Sequence, residues 1–283
     1  MAGLGERIVP GALRYCPATV TGLLTERTIV VTGVGPGLGR AIARACGREG
    51  ATVVLAARSA ERLAAMVAEL AAEGATAVAV PTDVTDEDQR RRLVAAAAEA
   101  SATGAIDGLV NSAFQQPPMV TVEDTDPEVW RAAFEINCHA AVQLTRAALP
   151  ALRAAAAPSV VMITTLSVHT SRPRFGAYAA AKSATSSAAR TLAAELGPDG
   201  IRVNCVAPGY IWGEPVRWYL DYQAKQRGVL YETVEGELLA EIPLRRIPTP
   251  EAIADAVVFY LSAMSRDITG TTLDVNGGQY TRP

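Results

Sequence analysis

Short apolar stretches alternate with longer segments of helical periodicity along most of the chain. Beginning at Thr28, seven stretches of four to six residues are rich in valine, isoleucine and alanine. The segments between them place apolar residues at every third or fourth position, which is typical of amphipathic helices. The predicted strands are 28–32, 52–56, 77–80, 106–110, 159–164, 201–206 and 271–275. The predicted helices run from a glycine-rich turn to about residue 48 and then over about 60–73, 86–102, 127–153, 175–196 and 250–263.

This alternation predicts the fold class. Strands that alternate with helices of ten or more residues form right-handed βαβ units around a parallel sheet. The strands are almost continuously apolar, as is typical when helices cover both faces of a sheet. We expect an α/β fold of the Rossmann type, a doubly wound parallel sheet of seven strands in a single domain. Ligands of such sheets bind beyond the carboxyl ends of the strands, so motifs at those ends are candidates for function.

The length and composition fit one large domain. The chain has 283 residues, of which 49% are hydrophobic, and this is ample for one core and short for two domains. We expect residues 25–283 to form the domain. We expect residues 1–24 to form an N-terminal arm that packs on the domain or on a neighbouring subunit.

Charge and hydrophobicity exclude two classes of partner. The 26 basic and 29 acidic residues are spread along the chain, for a formal net charge of −3. No basic block indicates nucleic acid, so we expect no nucleic-acid partner. No apolar run approaches the roughly 20 residues that span a bilayer, so we expect no membrane association.

The cysteines and histidines indicate neither disulfides nor a metal. No C-x-x-C pair is present, and no cluster has the spacing of metal ligands, so we expect no metal. Scattered free thiols are typical of a reducing compartment, which predicts a cytoplasmic protein. The residues concerned are Cys16, Cys46, Cys138, Cys205, His139 and His169.

A glycine-rich turn follows the first predicted strand. Gly33, Gly37 and Gly39 fit the pattern T-G-x-x-x-G-x-G in front of a helix. Glycines let the backbone approach a pyrophosphate, and the start of the helix supplies free N–H groups and a partial positive charge. The strand before the turn and the helix after it favour a dinucleotide site over an ordinary turn. The residues expected to line the cofactor here are Gly33, Gly35, Pro36, Gly37, Leu38 and Gly39.

Tyr178 and Lys182 lie four residues apart on a predicted helix and so share one face of it. A free tyrosine has a pKa near ~10 and is a poor base at neutral pH. A lysine cation one turn away, together with a positively charged nicotinamide, favours the phenolate. This predicts Tyr178 as a general acid/base. Lys182 is one of only two lysines in the chain, which makes the pair more noticeable.

These motifs together resemble the short-chain dehydrogenase/reductase family, over about residues 24–280. The resemblance implies an oxidoreductase that moves a hydride between a nicotinamide and a ketone or secondary alcohol, with Tyr178 as general acid/base. The catalytic serine of the family lies 13 residues before the tyrosine, and this position is Thr165 here. Ser167 is the alternative if the loop is shifted by two residues. Asn137 matches the remaining member of the catalytic set, which bends its helix and holds a water that links the lysine to solvent.

The end of the second predicted strand bears on the choice between NAD and NADP. An acidic residue there binds the ribose hydroxyls of NAD, whereas an arginine accommodates the 2′-phosphate of NADP. Ala57 stands where NAD-preferring members of the family often carry aspartate, and Arg58 follows. We therefore expect NADP(H) in preference to NAD(H). Two points oppose this: Arg58 can be a solvated residue before the helix, and Pro36 replaces a second basic residue that NADP-binding members often have.

The resemblance implies further cofactor contacts along the chain. Asp83 looks like the aspartate that contacts adenine, although an N-cap or turn role is an alternative. Asn111 and Ala113 match two positions of an N-N-A-G motif whose glycine is Phe114 here, and this ring should crowd the backbone. Gly213 replaces a threonine that bonds the cofactor carboxamide. The further contacts expected are Asp83, Val84, Asn111, Ala113, Tyr178, Lys182, Pro208, Gly209 and Ile211.

Between residues 210 and 245 the regular alternation stops and aromatic residues concentrate. In the family this region is the substrate lid. We expect an aromatic-rich lid over a medium-sized apolar or cyclic substrate, with Trp212 and Trp218 in contact with it. The alternative is that these rings form core or a subunit contact. The aromatic residues are Tyr210, Trp212, Trp218, Tyr219, Tyr222 and Tyr231.

A stretch at residues 268–278 matches the terminal strand of the family, which is commonly part of a tetramer interface. We therefore expect a homo-oligomer, either a tetramer or a dimer.

Three other functions compete with ketone reduction or alcohol oxidation. Enoyl reductases of the family have a longer Tyr-to-Lys spacing, and nucleotide-sugar epimerases use T-G-x-x-G-x-x-G, which Pro36 breaks. A non-catalytic dinucleotide-binding regulator or scaffold is favoured by the departures at Phe114, Thr165 and Gly213. Retention of Tyr178 argues against that alternative, because a sensor needs no proton relay.

Overall fold

Seven parallel strands form one sheet in the computed structural model, which describes residues 22–281. The strands follow the order β3-β2-β1-β4-β5-β6-β7. The predicted fold class is confirmed. The expected arm over 1–24 lies outside the described residues except for its last three. The strands are β1 (Thr28–Thr32), β2 (Thr52–Ala57), β3 (Thr76–Pro81), β4 (Gly108–Asn111), β5 (Ser159–Ile163), β6 (Arg202–Pro208) and β7 (Thr272–Val275).

The helices between the strands begin at the polar and proline positions that the sequence supplies. Ser59 caps the second helix through a bond from the Arg62 N–H, and Asp86 caps the third through a bond from the Gln89 N–H. Among residues 22–281 the α-helices are α1 (Leu38–Arg48), α2 (Ala60–Ala72), α3 (Glu87–Ala100), α4 (Pro127–Phe134), α5 (Ala140–Arg153), α6 (Gly176–Leu196), α7 (Glu214–Arg227), α8 (Tyr231–Glu241) and α9 (Pro250–Leu261). Within that range, no helix combines the length and the apolar character needed to cross a bilayer.

Alternate residues of the strands pack into two cores on opposite faces of the sheet. On β1, Ile29 and Val31 join the core formed with α1, α2 and α9. Val30, between them, joins the core formed with α3, α5 and α6. Each of these side chains is at most 2% exposed, and burial of one such side chain contributes roughly 1.5–3 kcal/mol. Coverage of both faces explains why the middle of β1 is apolar at successive positions rather than at alternate ones.

The helix predicted over 127–153 is two α-helices joined by a π-helical turn at Glu135–His139. Asn137, buried in this turn, donates from Nδ2 to the carbonyl oxygens of Ala133 (3.0 Å) and Gln115 (2.9 Å). Its Oδ1 accepts from the Gln115 N–H at 3.2 Å. The side-chain amide thus takes the place of a backbone donor and widens the helical turn. The sequence predicted a bend at this residue but not its π-helical form.

Some predicted bounds are corrected by contacts outside the strands. β4 is Gly108–Asn111 rather than 106–110, because the Ile106 N–H donates to the carbonyl of Ala151 instead of to a neighbouring strand. β6 continues to Pro208, where it still pairs with β7. The region 210–245, where alternation stops, holds the two helices α7 and α8.

The order of the strands places the site. β1 pairs with β2 on one side and with β4 on the other. The first strands, β1 to β3, therefore build the sheet outward in one direction, and β4 to β7 build it in the opposite direction. In doubly wound sheets a crevice opens at this point, beyond the carboxyl ends of the strands. The glycine turn after β1 and the loop after β4 flank that crevice.

Asn204, on β6, fixes the chain that leads into β7. Its side chain is fully buried. Nδ2 donates to the carbonyl oxygen of Ile268 at 2.8 Å, and Oδ1 accepts from the N–H and from the hydroxyl of Thr271, both at 3.1 Å. Because the Asn204 amide is closed to solvent, its polar atoms depend on these partners, and the three bonds hold residues 268–271 against β6.

Asn204→Ala is expected to lower the free energy of unfolding by about 3 kcal/mol, because it removes three hydrogen bonds that tie β6 to residues 268–271, each worth about 1 kcal/mol. Urea denaturation measures the change. The matched control is Gln226→Ala, which removes an exposed amide from α7 and is expected to stay within about 0.5 kcal/mol of the wild type. Equal stability of the two variants would contradict the role given to Asn204.

Candidate active site

The glycines of the turn after β1 divide into two groups. Gly33 has φ 72°, and a Cβ on it would lie 2.6 Å from the Ala113 Cα. A Cβ on Gly39 would lie 2.3 Å from the Gly33 carbonyl oxygen. These two glycines are required by the turn itself. A Cβ on Gly37 would meet nothing within 4 Å, and one on Gly35 only the Gly33 oxygen at 4.0 Å, so these two leave an open cradle at the start of α1.

Thr32, the last residue of β1, ties the turn to the loop after β4. Its Oγ1 accepts from the N–H groups of Ser112 (3.0 Å) and Ala113 (3.2 Å) and donates to the Val110 carbonyl (3.2 Å). The sequence analysis had assigned no role to this hydroxyl. Phe114, expected to crowd the backbone here, is 61% exposed, so its ring lies outside the packed turn.

Several predicted cofactor residues meet at a small cavity at the ends of β1 and β4. Val84, Asn111 and Ala113 line it together with Thr32. The Asn111 side chain is buried and donates from Nδ2 to the Thr145 hydroxyl at 3.2 Å, which fixes the end of β4 against α5. Asn111 therefore shapes the cavity wall.

Arg58 and Asp83 lie at neighbouring strand ends, after β2 and β3. Asp83 Oδ1 accepts from the Thr85 hydroxyl (2.7 Å) and the Thr85 N–H (2.9 Å), and these bonds lower the pKa of its carboxyl, with a smaller contribution from the charge of Arg58. The turn role given as an alternative for Asp83 is thus present. Arg58 is exposed and makes no hydrogen bond or ion pair to the described part of the chain.

Thr165 lies directly beyond β5 in an extended conformation and contacts the phenol of Tyr178. Burial raises the pKa of Tyr178 to about 12, and a hydrogen bond to Thr165 opposes that rise. Thr165 Oγ1 also accepts from the Ser167 N–H at 3.2 Å. Of the two hydroxyl candidates, Thr165 is the one that affects the pKa of the phenol.

Lys182, one turn along α6 from Tyr178, is 3% exposed. Its Nζ donates to the Ile163 carbonyl at 2.8 Å, and burial lowers its pKa to about 8. The lowering of the tyrosine pKa expected from this lysine is not seen: burial dominates at Tyr178 and raises it. One turn further, the Thr185 hydroxyl donates to the Asn137 carbonyl at 2.6 Å, which joins the π-helical turn to α6.

The loop after β6 is built by packing. The Gly209 N–H donates to the Val275 carbonyl at 3.2 Å, and a Cβ on Gly209 would lie 2.9 Å from the Asn276 Cβ. Ile211 packs against the core of α1 and α9. Pro208, Gly209 and Ile211 thus have structural reasons for their identity besides the expected cofactor contacts.

The two tryptophans expected in the lid are exposed. Trp212 is 36% exposed, and its backbone N–H donates to the Pro248 carbonyl at 2.8 Å. Trp218 is 60% exposed and stacks on Tyr222 with ring centroids 5.4 Å apart.

Residues that the sequence analysis missed lie on the loop between β5 and α6. The Arg172 guanidinium is surrounded by the rings of Phe175, Tyr210 and Tyr219 at 4.6–5.5 Å. Arg174 and Phe175 line a shallow depression that also holds Tyr178. No local pattern marks these arginines, because two of the three rings around Arg172, Tyr210 and Tyr219, come from a distant part of the chain.

The remaining titratable residues form no further centre in residues 22–281. No group of three histidine, cysteine, aspartate or glutamate side chains is arranged to hold a metal there. Cys46, Cys138 and Cys205 form no disulfide within residues 22–281, while Cys16 lies outside the described residues. His139 bonds Glu135 on its own helix at 3.0 Å.

Comparison with known proteins extends the picture over most of the chain. A family model described as enoyl-(acyl carrier protein) reductase matches residues 33–280. The chain is 33% identical over 259 residues to dehydrogenase/reductase SDR family member 4 of Homo sapiens, covering 92% of this chain and 89% of that protein. It is 32% identical over 264 residues to an L-rhamnose 1-dehydrogenase (NAD(P)(+)) of Azotobacter vinelandii, covering 91% and 98%.

A solved structure is similar as well. A short-chain type dehydrogenase/reductase from Mycobacterium ulcerans has a TM-score of 0.80 and 29% sequence identity, and the match covers 90% of each chain. The fold, the order of the motifs and these relatives agree. The chain belongs to the short-chain dehydrogenase/reductase family of NAD(P)-dependent oxidoreductases.

Proposed function

We propose that the protein transfers a hydride between the nicotinamide of NAD(P)(H) and a ketone or secondary alcohol in a medium-sized apolar or cyclic substrate, with Tyr178 as general acid/base. The observation that carries the proposal is the phenol of Tyr178, which lines an open depression and lies close enough to the Thr165 hydroxyl, just beyond β5, for that hydroxyl to oppose the rise in its pKa that burial causes. A hydroxyl and a phenol at one point match the donors that a reacting carbonyl oxygen needs.

The cradle after β1 fits a dinucleotide. Gly35 and Gly37 leave space that a side chain would fill, and α1 begins at Gly37 without a side-chain cap. Free N–H groups at the start of a helix favour a phosphate. When bound, the nicotinamide supplies or accepts the hydride. The chain's own residues hold the dinucleotide through this cradle and through the cavity at Val84, Asn111 and Ala113.

The pKa values assign the proton. With a pKa of about 12, Tyr178 keeps its proton at neutral pH and is ready to donate it to a carbonyl oxygen held by the Thr165 hydroxyl. The oxidation of an alcohol needs the phenolate instead, so its rate rises with pH. Lys182, with a pKa of about 8, is suited to resupply the proton, and Asn137 is the route to solvent that the family resemblance implies.

The lid is a unit with a core of its own. Val216 and Leu220 of α7 pack against Val234 and Leu238 of α8 in a cluster separate from both sheet cores. A unit of this kind can close over a substrate without disturbing the sheet. The exposed rings of Trp212 and Trp218 supply the apolar surface for such a substrate.

Two finer assignments complete the proposal. Arg58, exposed beside Asp83, favours NADP(H) over NAD(H) through the 2′-phosphate. Among the described residues β7 pairs only with β6, which leaves its other side available to a second copy, so we assign the protein to a homo-oligomer, a tetramer or a dimer.

Gly39→Ala is expected to affect mainly stability, and Gly37→Ala mainly the affinity for NADPH. Gly39→Ala lowers the free energy of unfolding by about 2 kcal/mol, because its methyl collides with the Gly33 carbonyl. Gly37→Ala has the smaller effect on stability but raises the Kd for NADPH about tenfold, because its methyl occupies the cradle. Urea denaturation and fluorescence titration with NADPH measure the two effects. Unchanged NADPH affinity in Gly37→Ala would sink the cradle assignment.

Tyr178→Phe is expected to lower turnover about 100-fold or more while NADPH binding stays within about twofold, because only the proton is lost. A panel of ketones and secondary alcohols, followed at the nicotinamide absorbance with each cofactor, supplies the substrate. In the wild type, alcohol oxidation accelerates from pH 7 to pH 10, as the base form becomes populated.

Two results would count against this role of Tyr178. Turnover that survives in Tyr178→Phe would exclude the phenol as the proton donor. A cellular effect that persists in Tyr178→Phe without any turnover of the panel would favour the non-catalytic regulator. An enoyl thioester in the panel covers the activity named by the family model, and its selective reduction would replace the carbonyl assignment.

Arg58→Ala is expected to raise the Kd for NADPH at least about tenfold and to leave the Kd for NADH within about twofold, because only NADPH carries the 2′-phosphate. Arg48→Ala is the matched control, an exposed arginine at the far end of α1. Fluorescence titration with each dinucleotide measures the difference. Equal losses for both dinucleotides, or a wild type that prefers NADH, would reverse the assignment.

A further inference from the structure

Two arginines on the loop between β5 and α6 have no acidic partner in residues 22–281. Arg172 is half-buried and Arg174 is exposed, and neither has a carboxylate within 4.0 Å. A guanidinium is charged at any physiological pH and suits planar, bidentate binding of a carboxylate. Two such groups within three residues, beside a candidate catalytic tyrosine, form a positively charged side of the site.

Arg172 is held in a cage of three aromatic rings. Its guanidinium carbon lies 4.6 Å from the ring centroid of Phe175, 5.2 Å from that of Tyr210 and 5.5 Å from that of Tyr219. Nη2 donates to the Tyr219 hydroxyl at 3.2 Å. The rings attract the cation and fix its direction, but they do not neutralise it. Donors of the guanidinium remain for a ligand.

Arg174 brings its charge to the depression that contains Tyr178. Its φ of 69° lies in the left-handed region, which costs a residue with a side chain on the order of 1 kcal/mol. Arg174, Phe175 and Tyr178 line the same depression, together with Gln116 from the loop after β4. Phe175 therefore contacts the Arg172 cation and also faces the depression, so it links the two arginines.

Glu241 is the acidic residue whose charge, like that of Arg172, acts on Tyr210, but it forms no ion pair with Arg172. Burial raises the pKa of Tyr210 to about 12, and the charge of Arg172 opposes this rise while that of Glu241 adds to it. The Glu241 carboxylate accepts a hydrogen bond from the Gln279 side chain at 3.3 Å. The charge on Arg172 thus remains available to an anion.

We propose that Arg172 and Arg174 bind a carboxylate of the substrate, so that the natural substrate is a ketone or secondary alcohol that is also a carboxylic acid. This inference rests on the proposed function, because it takes the reacting carbonyl to lie at Tyr178. Arg174 contacts the carboxylate from the wall of the depression. Arg172, oriented by its cage, completes the charge, and the aromatic rings contact the apolar body of the substrate.

The test compares 4-oxocyclohexanecarboxylate with its methyl ester, two cyclic ketones of similar size that differ in charge. The wild type is expected to reduce the carboxylate with a kcat/KM at least about tenfold above that of the ester. Arg174→Gln lowers kcat/KM for the carboxylate about tenfold, through KM, and leaves the ester within about twofold. Arg172→Gln behaves in the same way, and Arg172→Lys restores part of the loss by keeping the charge.

Arg190→Gln is the matched control. It removes an exposed arginine from α6, about 20 Å along the helix from Tyr178. It is expected to leave kcat/KM unchanged for both the carboxylate and the ester. Equal kcat/KM for the carboxylate and the ester in the wild type would overturn the proposal. Equal losses for both substrates in Arg172→Gln would show that Arg172 only holds Tyr219, and would overturn its part in binding the anion.

Binding without turnover separates this proposal from the proposed function. Cyclohexanecarboxylate and cyclohexanecarboxamide are titrated onto the protein loaded with NADP, with tryptophan fluorescence as the readout. Selective binding of the carboxylate that is lost in Arg174→Gln supports the anion site even if neither ketone is reduced, in which case the carbonyl assignment alone fails. Equal binding of the two compounds would overturn the anion site whatever the turnover.

Discussion

The apolar cover on both faces of the sheet is the constraint on which the candidate site depends. Ile29 and Val31 face one core and Val30 faces the other, so no position along the middle of β1 tolerates a polar group. An unpaired polar group there would cost several kcal/mol. The polar groups of the candidate site therefore lie at the strand ends, where Thr32 closes the turn after β1 and Thr165 follows β5. The reversal of strand order at β1 opens the crevice between those ends.

Desolvation stabilises the neutral form of both Tyr178 and Lys182 relative to the charged form. It raises the pKa of Tyr178 to about 12 and lowers that of Lys182 to about 8. The spacing of four residues indicated only the attraction between phenolate and ammonium. In the folded protein Lys182 turns to the Ile163 carbonyl, and desolvation is the largest influence on the pKa of each group. A positive charge brought to the phenol by a bound cofactor would act against this burial.

Signals within one element predicted most of the fold, and contacts between distant elements account for what they missed. Continuous apolar stretches predicted all seven strands, and the glycine spacing predicted the turn, because each depends on neighbours in sequence. The π-helical turn depends on Asn137 meeting Gln115, 22 residues earlier. The cage depends on Arg172 meeting Tyr219, 47 residues later. The family spacing named both Thr165 and Ser167 as candidates, and only the folded loop places Thr165 on the phenol.

The apolar cluster between α7 and α8 links this helix pair to the loop that carries Arg172 and Arg174. Tyr210 and Tyr219 pack against the core of α7 and α8 and also enclose the Arg172 guanidinium. The Tyr219 hydroxyl accepts a bond from Arg172, so a ligand bound to this cation would be connected to α7 through that bond. A ligand shifts a conformational equilibrium only through its difference in affinity for the two conformations. A neutral ligand would form no ion pair with Arg172 and would therefore lack this means of favouring a closed lid over an open one. Recognition of an anion and closure of the lid would then depend on the same side chain.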